Sequence, residues 1–208
     1  MLRFVASSVV AALLVAATPA PASEVEESAA RATLQQTVDQ VLAVLRNSAL
    51  SQEQRRSQIE EIAYARFDLD TMSRLVLARR WRLFDESQRT DYIEQFKTYL
   101  ANNYGDRINR YDQEEVEITG ERSEARGDVT VKTRIVGGEF SDAVVHYRLR
   151  QKDGEWRVID VIIEGISMVS NFRDQFKAVM GNGGPELLIQ KLREKNASGG
   201  SFEEESSG

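Results

Sequence analysis

Residues 154–176, GEWRVIDVIIEGISMVSNFRDQF, change from a strand pattern to a helix pattern at Gly165, which limits the chain to folds in which helices cover a sheet. Under strict alternation Trp156, Val158 and Ile162 fall on one face of the strand and Ile159, Val161 and Ile163 on the other. The middle of the strand is therefore apolar on both sides and needs cover above and below. Past Gly165, the residues Met168, Val169, Phe172, Phe176 and Val179 keep helical spacing, forming a stripe that must lie against an apolar surface.

Upstream, the pattern is helical as far as residue 111. Leu34, Val38, Val41, Leu42 and Leu45 mark one amphipathic helix. Ser51 with Gln54 forms a capping-box pattern that opens a second, with Ile59, Ile62, Ala63 and Phe67 as its stripe. Asp68 or Asp70 caps a short third helix carrying Met72, Leu75, Val76 and Leu77 toward Trp81. Asp85 with Gln88 opens a longer one whose stripe, Tyr92, Ile93, Phe96, Tyr99, Leu100, Tyr104, Ile108 and Tyr111, is rich in rings.

From Glu115 the period becomes two. Val116 and Ile118 open one strand, Val129, Val131, Thr133 and Ile135 line the next, and Ala143, Val145, Tyr147 and Leu149 the third. Turn signals at Gly137-Gly138 and Asp153-Gly154 join these to the Trp156 strand as a meander. Helices first, strands second and a helix last predict an α+β fold, with helices packed on one side of a curved four-stranded antiparallel sheet. Lys132, Arg134, Arg148 and Arg150 are expected on its wet face.

The termini bound the folded part. Arg3 precedes an uncharged apolar run from Phe4 to Ala17 and a small-residue site at Ala20-Pro21-Ala22, the pattern of a secretory signal peptide over residues 1–22. That run is short of the ~20 residues that span a bilayer, and no cysteine follows it to carry a lipid anchor. Residues 23–196 are expected to form one domain, and the small, acidic stretch 197–208 a disordered tail. With no cysteine at all, neither disulfides nor thiolate metal sites hold the fold. Past Ser23 there are 26 basic and 33 acidic residues, formally −7, with no polybasic face that suggests nucleic acid or anionic lipid surfaces as partners.

Motifs for catalysis are sparse. His146 sits among surface strand positions and lacks metal-binding partners. Gly165-Ile166-Ser167-Met168-Val169 starts like a nucleophile elbow but lacks the closing glycine, and no second histidine serves as base. Gly181-Asn182-Gly183-Gly184 follows a helix and has no Lys-Ser or Lys-Thr successor, so it reads as a helix end before a new helix at Pro185. Asp160 and Glu164 share the Trp156 face under strict alternation, roughly 13 Å apart, too far for a carboxylate dyad. A structural ion pair with Arg173, contact with a polar headgroup, and acid/base catalysis all remain open for them. No catalytic, cofactor or metal site is assigned.

Several separated motifs resemble the MlaC family of periplasmic phospholipid-binding proteins, also described as toluene-tolerance auxiliary proteins. They are Phe67-Asp68 with Met72, Leu77 and Trp81; Tyr92, Phe96, Leu100 and Tyr104; Trp156 through Asp160; Glu164-Gly165-Ile166-Ser167; Arg173 with Phe176; and Gly184-Pro185-Glu186-Leu187-Leu188. Together they cover about residues 30 to 196. The resemblance implies a monomeric periplasmic shuttle carrying a glycerophospholipid between an outer-membrane lipoprotein complex and an inner-membrane ABC transporter, in support of outer-membrane lipid asymmetry. It also implies an apolar pocket between helices and sheet. A hopanoid-associated subgroup shares the same motifs. Candidate pocket walls are Val76, Phe96, Leu100, Tyr104, Val131, Val145, Tyr147, Val161, Ile163, Val169 and Phe172, each of which serves equally well as filled core. Two readings from other classes stand beside the carrier. One is a ketosteroid-isomerase-like enzyme using Asp160 with Tyr104 or Tyr147, the other a scaffold with a fully packed interior.

Overall fold

The structure, a computed structural model, describes residues 23–108 and 113–202. The expected signal peptide at 1–22, Tyr111, and the tail beyond 202 lie outside the described residues. Helices α1 (Glu24–Arg46), α2 (Gln52–Arg66), α3 (Leu69–Leu77) and α4 (Glu86–Ile108) come first, with a 3-10 segment at Ala78–Leu83 before α4. Strands β1 (Glu115–Ser123), β2 (Val129–Val136), β3 (Val144–Lys152), β4 (Glu155–Ile163) and β5 (Ile166–Ser167) follow, then α5 (Met168–Ser198). The fold is α+β, with one antiparallel sheet in the order β1-β2-β3-β4-β5. The strand count corrects the expected four. The fifth is two residues long, too short to show a period.

Local chemistry sets the helix starts. Ser51 with Gln54 and Asp85 with Gln88 exchange reciprocal side-chain-to-backbone hydrogen bonds, satisfying amide groups that a first turn leaves open. Of the two acids proposed for α3, Asp68 is the cap, accepting from the Thr71 amide at 3.0 Å. A third box, Ser23 with Glu26, starts α1 well before the apolar spacing that begins at Leu34. The hairpin turns follow their residues too. Asp153-Gly154 and Glu164-Gly165 each join paired strands with positive φ at both positions, as a two-residue turn matched to strand twist requires. Gly183-Gly184 breaks α5, and Gly184 at φ 70 adopts a conformation that a side chain would strain.

A β-bulge re-phases β4. Arg148 pairs with Asp160 but Leu149 with Val158, leaving Ile159 as an extra residue. Strict alternation therefore fails here. Trp156 and Val158 share a buried cluster with Val161, and Ile163 packs against it, whereas Asp160 is turned away from Val158. That cluster also takes Ala30, Leu34 and Val38 of α1 with Val129, Val131 and Leu149, so α1 covers the inner face of the sheet. A second cluster is helical and draws on α3, α4 and α5. The helices thus divide, α1 supplying most of the sheet's apolar cover with Phe67 and Met168 beside it, while α3, α4 and α5 bury their stripes against one another.

The helical unit hangs on the free edge of β4. The Asp68 amide donates to the Val158 carbonyl at 2.9 Å just before α3 begins. Farther along, Asp160 accepts from the Ser167 hydroxyl at 2.6 Å and from the Val169 amide at 3.1 Å, fixing the start of α5. At 4% exposure its carboxylate depends on these donors. Arg173, proposed as its partner or that of Glu164, pairs with neither. It donates to the Leu75 carbonyl at 2.8 and 3.2 Å, closing the end of α3, while Glu164 accepts from the Val144 amide at 2.6 Å.

Two terminal and surface features depart from the sequence reading. Residues 197–202 are not a loose tail: α5 runs to Ser198, and Phe202 is 4% exposed, with its ring 5.3 Å from both Tyr99 and Phe176. Composition averaged over a polar stretch hid one aromatic anchor. Arg74 and Arg89 both lie over the ring of Trp81 in the 3-10 segment, which itself carries Arg79, Arg80 and Arg82, a local run of basic residues that net charge conceals. Replacing Phe202 with Ala is expected to lower unfolding free energy by about 3 kcal/mol, measured by denaturant titration. Asp160→Ala, which strips the α5 start of its acceptor, is expected to lose about 2 kcal/mol, and Asp160→Asn, which keeps an acceptor, less than half of that.

Candidate apolar ligand site

The eleven candidate wall residues divide between the two clusters. Val76, Phe96, Val169 and Phe172 are buried in the helical one, with Leu100 and Tyr104 packed at its side. That interior is filled. Phe96 meets Phe172 and Phe176 edge-on at 5.3 and 5.5 Å, and Tyr99 meets Phe172 at 5.8 Å. Rings at such separations touch and leave no room for a hydrocarbon chain among them. Burial alone raises the Tyr92 phenol well above its ordinary pKa, as expected of a dry core.

The other five, Val131, Val145, Tyr147, Val161 and Ile163, share the inner face of the sheet. Its two ends differ. Val129, Val131, Leu149, Trp156, Val158 and Val161 are buried, sealed by the Ala30–Val38 part of α1. Val116, Ile118, Val145, Tyr147 and Ile163 are only half-buried, and so are Val41, Leu42, Val44 and Leu45 in the second half of α1. Apolar side chains on both sides thus stay partly uncovered at one end of a face whose other end is closed. Tyr147 is half-buried at this end of the face, and burial raises its phenol pKa.

Half-buried Met168 packs against both clusters. Most domains have one contiguous core, so a seam bridged by this flexible side chain is where apolar surfaces can part. Met suits such a place because its unbranched thioether adapts to a changing neighbour. Sequence periodicity did not single it out for the cleft, since its position fits the α5 stripe equally well.

A concavity of about 460 Å3 opens between α2, the start of α3, α4 and the β3–β4 turn. Its lining includes Tyr64, Phe67, Ile93, Lys97, Lys152 and Arg157 and none of the eleven candidates. Charges there are mostly committed. Lys97 lies 3.7 Å above the Tyr64 ring, and Lys152 pairs with Asp68 at 3.0 Å. Burial opposes ionisation of Asp68, but hydrogen bonds from Thr71 and Lys152 outweigh it and hold the carboxyl below its usual range. The Thr71 amide among these donors makes Asp68 the cap of α3. Asp160 accepts from Ser167 and Val169 at the start of α5 and lies on the face of the sheet opposite Tyr147.

Comparison with known proteins agrees with this architecture. The phospholipid-binding protein from Ralstonia solanacearum, solved in complex with a phospholipid, superposes with a TM-score of 0.74 at 23% identity, covering 82% of this chain and 98% of that one. The toluene tolerance protein ttg2D of Pseudomonas putida is 27% identical over 121 residues, 58% of this chain and 56% of that protein. The intermembrane phospholipid transport system binding protein MlaC of Haemophilus influenzae is 20% identical over 123 residues, 57% of this chain and 58% of its own. The matched region is thus less than two thirds of each of these curated relatives. The family model for MlaC protein matches residues 35–194, most of the chain, from the middle of α1 to the last turns of α5, and the chain belongs to the MlaC family.

Proposed function

We propose that this protein is a periplasmic carrier that holds a glycerophospholipid by its acyl chains between the second half of α1 and the Val145–Tyr147–Ile163 end of the sheet. It is exported by a signal peptide at residues 1–22, acts as a monomer, and passes lipid between an outer-membrane lipoprotein complex and an inner-membrane ABC transporter. In doing so it helps keep the outer membrane asymmetric. The observation that carries the reading is the deep but incompletely covered apolar face around Tyr147. The phospholipid in the Ralstonia neighbour and the transport role in the Haemophilus relative's name support the ligand class. Among the described residues no helix is long and apolar enough to cross a membrane.

The energetics favour retention. At ~0.8 kcal/mol per buried methylene, a 16-carbon chain gains on the order of 12 kcal/mol before ordering losses. Two such chains make unaided escape into water slow, so delivery needs a partner that opens the cleft and offers another apolar surface. The chemistry needs no catalyst. An isomerase reading would require a carboxylate base facing a tyrosine, and Asp160, paired across from Arg148, lies on the face of the sheet opposite Tyr147.

Protein purified without detergent is expected to carry phospholipid adducts in native mass spectrometry. A hopanoid or other small molecule would redirect the reading within or beyond the family, and bare protein would favour a scaffold. Val145→Trp is expected to lower bound lipid severalfold with the circular dichroism spectrum unchanged; full lipid content in that variant would remove this end of the sheet from the site. Lipid release from isolated protein is expected to be far slower than transfer to the cognate membrane complex, and equal rates would contradict gated delivery.

A further inference from the structure

We infer that the 3-10 segment Ala78–Leu83 and its flanks form a docking surface for a partner protein that presents clustered carboxylates. This rests on the carrier reading, since a carrier must dock to unload. The chain is acidic overall, formally −6, yet Arg74, Arg79, Arg80, Arg82 and Arg89 fall within one short segment. No salt bridge to Asp or Glu is formed by any of these five guanidinium groups among the described residues. Within residues 74–89 the five arginines stand against two acids, Asp85 and Glu86, and this local excess of positive charge attracts a partner of opposite sign.

The segment is held rigidly. Trp81 stacks on Phe84, a core side chain, at 6.5 Å, and carries the guanidinium groups of Arg74 and Arg89 over its ring at 5.2 and 5.1 Å. Ala78, at φ 50 and ψ −123, takes a backbone conformation rare for a residue with a side chain, and there α3 gives way to the 3-10 segment. Beside these charges Leu83 is 63% exposed. An exposed apolar side chain beside preoriented arginines has the anatomy of an interface centre, where rigid groups lose little freedom on binding.

Carboxylates on a protein fit better than a lipid surface. Planar guanidinium groups fixed by stacking suit bidentate carboxylate pairing. Membrane docking would ask an aromatic side chain to enter the interface, but Trp81 has guanidinium groups over its ring and Leu83 alone projects.

The test uses a short synthetic peptide of alternating glutamate and leucine, titrated against the full mature protein, with phosphatidylglycerol vesicles as a parallel arm. Wild type is expected to bind the peptide at low salt and lose it as salt rises, and Arg79→Glu with Arg82→Glu to weaken binding about tenfold or more. Lipid content by native mass spectrometry should be the same in both proteins. Equal peptide binding by wild type and variant overturns the inference, as does arginine-dependent sedimentation with vesicles in place of peptide binding. Loss of bound lipid in the variant overturns it too, by placing these arginines in the lipid site. If both proteins are lipid-free, the carrier reading fails while the peptide comparison still decides the surface. Arg79→Gln with Arg82→Gln, expected to weaken binding in the same direction, serves if the double reversal does not fold.

Discussion

The free edge of β4 is the joint on which the molecule depends. Two helices begin there: α3, tied by the Asp68 amide to the Val158 carbonyl, and α5, whose first turn is held by Asp160 through Ser167 and Val169. A carboxylate this buried would be costly without donors; with two it is satisfied, and it ties the first turn of α5 to the sheet. The bulge at Ile159 makes the arrangement possible, since it turns Asp160 away from the sheet's apolar face while Val158 and Val161 stay on it.

From that joint follows a division of labour. The helical unit is closed by rings in edge contact, including Phe202 from beyond the end of α5. The sheet unit is sealed only where Ala30, Leu34 and Val38 lie on it. The proposed carrier role asks for both, a packed frame and a face left partly uncovered. Met168, packed against each unit at the first turn of α5, lies where the two are joined.

Much of this was legible in the residues. The capping boxes at Ser51 and Asp85, the Asp153-Gly154 turn and the ring stripe of α4 declare themselves because each is a local pattern with a local cause. The bulge was not legible, because Val158, Ile159 and Val161 are all apolar and alternation cannot show which one is extra. β5 was too short to show a period, and Phe202 was hidden by polar neighbours. For the site, periodicity identified apolar faces but could not distinguish Phe96, locked among rings, from Val145, left half-covered, since that difference lies in the space between elements. The arginines around Trp81 were overlooked because a negative total says nothing of local sign.

The most direct measurement loads methyl-labelled protein with a phospholipid bearing a nitroxide on its acyl chain and records which methyl signals broaden. Acyl chains lodged over the uncovered end of the sheet would broaden Val145, Ile163 and Met168 and leave Val76, Leu188 and Leu192 sharp. Broadening of Val76, Leu188 and Leu192 with Val145 and Ile163 unaffected would place the chains inside the helical cluster and contradict the cleft described above.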